Sequence, residues 1–216
     1  MRKRFDGQLA ELHEEIICMG GMIEQAILGA VSALETHDVE KAKTIIAGDE
    51  EVDQQERLIE GLCMKLLLSQ QPVATDLRRV SAALKVITDM ERIGDHAADI
   101  SELTLMLGGE PGMGAGDLRE MAGKTCEMLL GSIEAFVNRD ENKAHEVIAM
   151  DDTVDALFLR VKKDIIDALR TDPGEGEEAV DLLMAAKYFE RIGDHATNIA
   201  EWAIFAIRGE HEVHEI

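Results

Sequence analysis

The chain has 216 residues, with 22 Lys and Arg against 44 Asp and Glu, a formal net charge of −22, and only 3% aromatic residues. Cations that could displace phosphate counterions are too few, and rings on which bases could stack almost absent, so nucleic acid is excluded as a partner. The same charge disfavours an anionic bilayer surface, leaving a cation-binding surface, a basic protein partner or an ordinary acidic surface. A chain of this length can bury a substantial core, and its wealth of Ala, Leu, Met and Glu, broken by only three prolines, predicts an all-α fold.

Leu9, Leu12, Ile16, Met19, Ile23, Ile27, Ala30 and Leu34 recur at helical spacing and predict a long first helix ending near Thr36-His37. Asp38 is placed to cap a second helix that runs to about Ser69, and Pro72 marks the next turn. A third helix is expected from about Val73 to Leu107, followed by a stretch from Gly108 to Gly116 dense in helix breakers. The plan then repeats. Leu118, Met121, Thr125, Met128, Ser132 and Phe136 trace a fourth helix, Asp140 stands where Asp38 stood, and Thr171-Asp172-Pro173-Gly174 makes the turn before a last helix to about Ile207. Short connections between long helices favour antiparallel neighbours. The expectation is two tandem, similar three-helix bundles, six long antiparallel helices in all, with units 1–108 and 117–216 around a Gly-rich linker at 109–116.

No stretch reads as long and apolar enough to cross a membrane. The basic start, Met1-Arg2-Lys3-Arg4, leads into Asp6 and Gln8 rather than an apolar signal region, so a cytoplasmic protein without membrane insertion is expected. Cys18, Cys63 and Cys126 are odd in number and set in apolar helical patterns, which reads as buried free thiols.

The heptapeptide Glu-Arg-Ile-Gly-Asp-His-Ala occurs at 91–97 and again at 190–196, within a larger repeat of about 100 residues. Lys41/Lys143, Ala42/Ala144, Asp49/Asp151, Val52/Val154 and Asp53/Asp155 match across the repeat, and beyond the heptapeptide Ile100/Ile199 and Glu102/Glu201 match again. On a helix, Glu91, Asp95, Asp99 and Glu102 fall within an arc of roughly 80°, opposite Ile93, Ala97, Ile100 and Leu103. The second half repeats the stripe as Glu190, Asp194, Asn198 and Glu201. A further stripe, Asp49, Asp53, Glu56 and Glu60, lies on the middle helix; its counterpart keeps Asp151 and Asp155, then turns apolar at Phe158 and basic at Lys162.

Like charges at i and i+4 each cost a helix a few tenths of a kcal/mol. Two readings follow. The stripes are solvated faces, with Arg92 and Arg191 pairing nearby acids. Alternatively, neighbouring helices converge their carboxylates on hard cations such as Mg, Ca, Mn or ferric iron. Gly94 and Gly193, mid-helix in both copies, predict close backbone approach, with helix packing favoured over a ligand. His96 and His195 read as hydrogen-bonding structural histidines rather than ligands. No Glu-x-x-His pair, phosphate-cradling loop, nucleophile elbow or His-Glu-x-x-His is present, so the chain is not expected to be an enzyme.

With its four acidic motifs, Asp49-Glu-Glu-Val-Asp53, Glu91-Arg-Ile-Gly-Asp95, Asp151-Asp-Thr-Val-Asp155 and Glu190-Arg-Ile-Gly-Asp194, the sequence resembles the phosphate-uptake regulator family PhoU over essentially its whole length. The resemblance implies two three-helix bundles and a cytoplasmic accessory protein of the phosphate-specific ABC transporter. It implies repression of the phosphate-starvation response, with the transporter's ATPase subunit and a sensor histidine kinase as partners, and often a homodimer. It also implies metal, with iron or zinc foremost, at Asp49, Asp53, Glu91, Asp95, Asp99, Asp151, Asp155, Glu190 and Asp194. Asn198, where the first repeat has Asp99, departs from the stripe and makes the second site the less complete one. Two other readings stand beside this one: a metal-binding or buffering protein, or a relative serving another transporter, and, more weakly, a carboxylate-bridged metalloenzyme.

Overall fold

A computed structural model describes residues 2–70, 74–108, 115–171, 174 and 176–210. Six helices make up the fold: α1 (Arg2–Thr36), α2 (Val39–Gln70), α3 (Ala74–Met106), α4 (Ala115–Asn138), α5 (Glu141–Thr171) and α6 (Gly176–Arg208). The expected all-α architecture is the one found, with α1–α3 packed on one another and α4–α6 on one another. Residues 109–114 of the expected linker, Pro72 and residues 172–173 lie outside the described residues.

The joint between the first two helices of each bundle is built twice from the same parts. His37 (φ 50°) and Arg139 (φ 58°) take the left-handed conformation that ends a helix. The Asp38 amide then donates back to the Ala33 carbonyl at 2.9 Å, and the Asp140 amide to Ala135 at 3.0 Å. Each Asp also starts the next helix: Asp38 Oδ1 accepts from the Lys41 amide at 3.0 Å, and Asp140 Oδ1 from the Lys143 amide at 3.1 Å. So short a connection turns α2 back along α1, and α5 back along α4.

One apolar core runs through both bundles. Among the described residues, the bundles meet through α3 against α6 and α1 against α4. Ala82, Ala83 and Ala97 of α3 and Ala185, Ala186, Ala196 and Ala200 of α6 are buried, small side chains that permit a close helix–helix approach. Two sequence expectations are corrected. Phe5–Thr36 is in fact long and apolar enough to cross a membrane by length and composition, because Glu24 alone carries charge between Ile16 and Leu34. That apolarity serves the core, where Ile16, Met19, Ile23 and Ile27 are fully buried. Cys18 is exposed, since it sits one helical step round from core-facing Met19, whereas Cys63 and Cys126 are buried with their thiols pushed up to about 12 by burial.

Candidate metal centre

The site begins with a missing side chain. An alanine Cβ at Gly94 would stand 3.1 Å from Val52 Cγ1 and 3.4 Å from Asp49 Oδ1, so the glycine lets α2 close on the backbone of α3. That approach brings together Asp49 and Asp53, one turn apart on α2, and Asp95 of α3. Each offers a carboxylate oxygen, and these oxygens all lie within 4.8 Å of one another. Burial, then the neighbouring charges of Asp95, Asp53, Asp99 and Glu50, push the Asp49 carboxyl up to about 6. Arg57 donates to Asp53 at 2.9 Å and Arg92 to Asp95 at 3.0 Å, from the outer side. Asp49 has no hydrogen-bond or ion-pair partner among the described residues. Three converging oxygens, one of them uncompensated, fit a hard cation.

The other first-bundle candidates surround this cluster without joining it. Glu91 is held above its usual range by burial first and then by Asp95, and lies 3.5 Å from Arg92. Asp99 is 3.1 Å from His96 Nδ1. Arg92 does pair with acids of its own helix, as the solvated-face reading expects, yet both arginines leave Asp49 untouched.

The second bundle starts from the same geometry. An alanine Cβ at Gly193 would meet Asp151 Oδ1 at 3.3 Å and Val154 Cγ1 at 3.5 Å. Burial, then Asp155, Asp194, Asp152 and Glu190, push Asp151 up to about 6. Asp155 and Asp194 are raised too, by burial first and then by Glu190, but Lys187 opposes both shifts. Its ammonium donates to Glu190 and sits 5.5 Å from the Phe158 ring centre. A resident cation thus already pairs with Glu190 and acts electrostatically on Asp155 and Asp194. Among the described residues, the three-oxygen convergence is found in the first bundle only.

The histidines meet at the seam between bundles. The His96 and His195 ring centres are 5.7 Å apart, and His96 lies 5.5 Å from the Tyr188 ring. His195 Nδ1 is 2.9 Å from Asp89 Oδ1, which also accepts from Asn198 Nδ2 at 3.2 Å. Both histidines therefore take structural contacts, as their position at the edge of the core face suggests. Sequence reading did not single out Asp89, Lys187, Tyr188 or Arg57. The available signal was a difference between repeats: Lys187 and Tyr188 stand beside the second heptapeptide where Thr88 and Asp89 stand beside the first.

A duplicated three-helix bundle that holds facing carboxylates between its middle and last helices defines a class of two-domain helical proteins with acidic faces. A family model described as PhoU domain matches residues 16–104 and again 118–203, and the chain belongs to the PhoU family. It is 37% identical over 211 residues to the phosphate-specific transport system accessory protein PhoU homolog of Clostridium acetobutylicum, covering 97% of this chain and 96% of the relative. The Aquifex aeolicus protein of the same description is 35% identical, with 96% and 95% covered. The crystal structure of PhoU from Pseudomonas aeruginosa superposes with a TM-score of 0.89 at 31% identity, covering 95% of this chain and 100% of that one. The phosphate transport system regulatory protein PhoU from Streptococcus pneumoniae gives 0.89 at 29% identity, with 97% and 100% covered.

Proposed function

We propose that this chain is the cytoplasmic accessory regulator of a phosphate-specific ABC transporter. In this reading it represses the phosphate-starvation response while phosphate is plentiful, by linking the transporter's ATPase subunit to a membrane sensor histidine kinase. Whole-length kinship to proteins named for phosphate-specific transport carries the reading. The chain works by conformation and contact rather than catalysis, as a homodimer of two-bundle protomers divided at the 109–116 linker.

The acidic faces are its metal sites. Asp49, Asp53 and Asp95 hold the cation of the first bundle, with Glu91 and Asp99 beside them. Asp151, Asp155, Glu190 and Asp194 form the weaker second site. Iron or zinc is the favoured metal, with Mg, Ca and Mn as alternatives the oxygen donors also accept. When bound, the ion supplies the charge that lets facing helices keep ionised carboxylates at close range. The side chains then fix the register of α2 against α3.

The test is a phosphate-starvation reporter in phosphate-rich medium, with the gene deleted and then restored. The reporter should rise on deletion and fall on restoration. A silent reporter in a host without a second copy of the gene would remove the regulatory role, leaving a metal-binding protein or a regulator of another transporter.

A further inference from the structure

Above the acidic cluster, α1 and α2 part to leave a groove of about 380 Å³. Its floor is apolar, with Met22, Ala26, Ile45 and Val52, and Gly29 and Gly48 keep it open; Asp49 and Glu51 stand on its rim. The second repeat carries different residues at the equivalent positions. Gly29 and Gly131 occupy equivalent places, facing Ile45 Cδ1 at 3.0 Å and Val147 Cγ2 at 2.9 Å from where a Cβ would stand. Counted from that pair, the second repeat carries Met128 where the first has Ala26, and Met150 where the first has Gly48. Met128 is fully buried and Met150 packs against the core, so the second bundle carries large side chains where the first has Ala26 and Gly48.

The charge around the mouth points to its occupant. Lys43 pairs with Glu40 at 2.8 Å, whereas Lys41 donates to the neutral Ser32 hydroxyl at 2.9 Å and keeps its charge at the mouth. Glu51 is exposed and, like Asp49, has no hydrogen-bond or ion-pair partner among the described residues. Before metal binds, Asp49 and Glu51 thus outweigh Lys41 at the rim, on a chain of net charge −22. An open groove between two helices, apolar inside and acidic at its edge, accepts a third helix through an apolar anchor and a cationic neighbour one turn away.

We propose that the α1–α2 groove of the first bundle docks a cationic amphipathic helix of a partner protein, its apolar anchor entering between Met22, Ala26 and Ile45 and its Lys or Arg meeting Glu51. The proposal rests on the adaptor reading only for which protein supplies the helix. Peptide binding reports on the groove whatever the reporter does, so the two can fail separately.

The experiment measures fluorescence anisotropy of a labelled synthetic helix, Leu and Lys at amphipathic spacing, against the full chain, with a Leu and Glu helix as control. The Leu/Lys helix should bind saturably and the Leu/Glu helix should not. Ala26→Met with Gly48→Met writes in the second repeat's own residues without changing charge, and should weaken binding about tenfold or more. Gly48→Leu alone serves if the double variant fails to fold, since a Cβ at Gly48 meets open space. Glu51→Lys should weaken binding and flatten its salt dependence. Unchanged affinity in both groove-filling variants, or equal binding of the Leu/Glu helix, overturns the proposal. So does a small molecule retained by the purified wild type and absent from Gly48→Leu in native mass spectrometry, which would make the groove a small-ligand pocket.

Discussion

In the first bundle, Asp49, Asp53 and Asp95 bring oxygens within 4.8 Å of one another, and the arginines that pair with Asp53 and Asp95 reach them from outside. In the second, the same heptapeptide on the equivalent helix faces the same Asp-x-x-x-Asp, yet Lys187 pairs with Glu190 and Phe158 stands where the first bundle has Glu56. The backbone geometry is shared, down to a glycine that receives an aspartate and a valine in each copy. What separates the two is the charge one helical turn away. A repeated motif fixes where carboxylates can meet; the residues flanking it decide how much of their charge the protein itself offsets.

The largest effect expected from this difference lies in metal uptake. Asp53→Asn with Asp95→Asn should lower affinity for added iron or zinc at least about tenfold, the scale of losing even an indirect support of a metal site. Asp155→Asn with Asp194→Asn should cost less, because Lys187 already supplies positive charge there. Calorimetry and elemental analysis of the two variants decide it. Equal losses would mean the bundles are equivalent, and no loss in either would return both stripes to solvated surface.

The converse change should build the missing site. Lys187→Thr writes in the residue that the first repeat carries beside its heptapeptide. Removing one ammonium close to a carboxylate cluster should raise cation affinity in the second bundle by roughly tenfold, the size of a single near charge largely screened by solvent. Titration of a variant that also carries Asp53→Asn and Asp95→Asn isolates that bundle. An unchanged affinity would show that Lys187 is not what sets the two clusters apart.

Much of this was legible in the sequence, for definable reasons. The joints between α1 and α2 and between α4 and α5 fell within a residue or two of the structure because Asp38 and Asp140 announce their caps locally, through a side chain acting three residues on. The acidic stripes were legible because helical periodicity alone places Asp49 over Asp53 and Glu91 over Asp95. Which stripe meets which was not, since that depends on how far α3 and α2 rotate toward each other about Gly94. The seam that joins His195 to Asp89 was hidden for the same reason: it links residues in different repeats, and a repeat shows what is duplicated but not how the copies face. Exposed Cys18 fell just off the edge of a stripe that periodicity resolves only coarsely.

A smaller effect separates the two glycines. Ala in place of Gly gains about 1 kcal/mol of helix propensity in either bundle. At Gly94 the new Cβ would lie 3.1 Å from buried Val52, a β-branched side chain with one favoured rotamer, and overpacking of about 1–3 kcal/mol outweighs the gain. At Gly193 the nearest atom is Asp151 Oδ1 at 3.3 Å, the end of a partly exposed side chain, and Val154 stands off at 3.5 Å. Gly94→Ala should therefore lower stability by about 1 kcal/mol, while Gly193→Ala should be neutral or stabilising by up to about 1 kcal/mol. Urea unfolding of each variant is the measurement, and the same sign in both would contradict the closer approach of α2 to α3.

The smallest effect is a pH slope in the metal-free protein, and here the bundles should agree before metal divides them. Asp49 and Asp151 are both raised from 3.8 to about 6, by burial first and then by like charges. Between these values the folded chain holds more protons than the unfolded one, so each group's contribution is full below 3.8 and is lost as pH rises through about 6. His13, lowered from 6.5 to about 4 by burial first and then by Arg79, works in the opposite direction, its contribution lost as pH falls through that range. The wild-type curve sums these slopes, so the informative quantity is its difference from Asp49→Asn and from Asp151→Asn. Against either variant, metal-free wild type should lose relative stability from pH 4 to 6, and by similar amounts. Saturating metal should abolish the loss for Asp49, since a bound cation favours the ionised carboxylate, and leave more of it for Asp151. If metal abolished both equally, Lys187 would not be acting as the second bundle's resident cation.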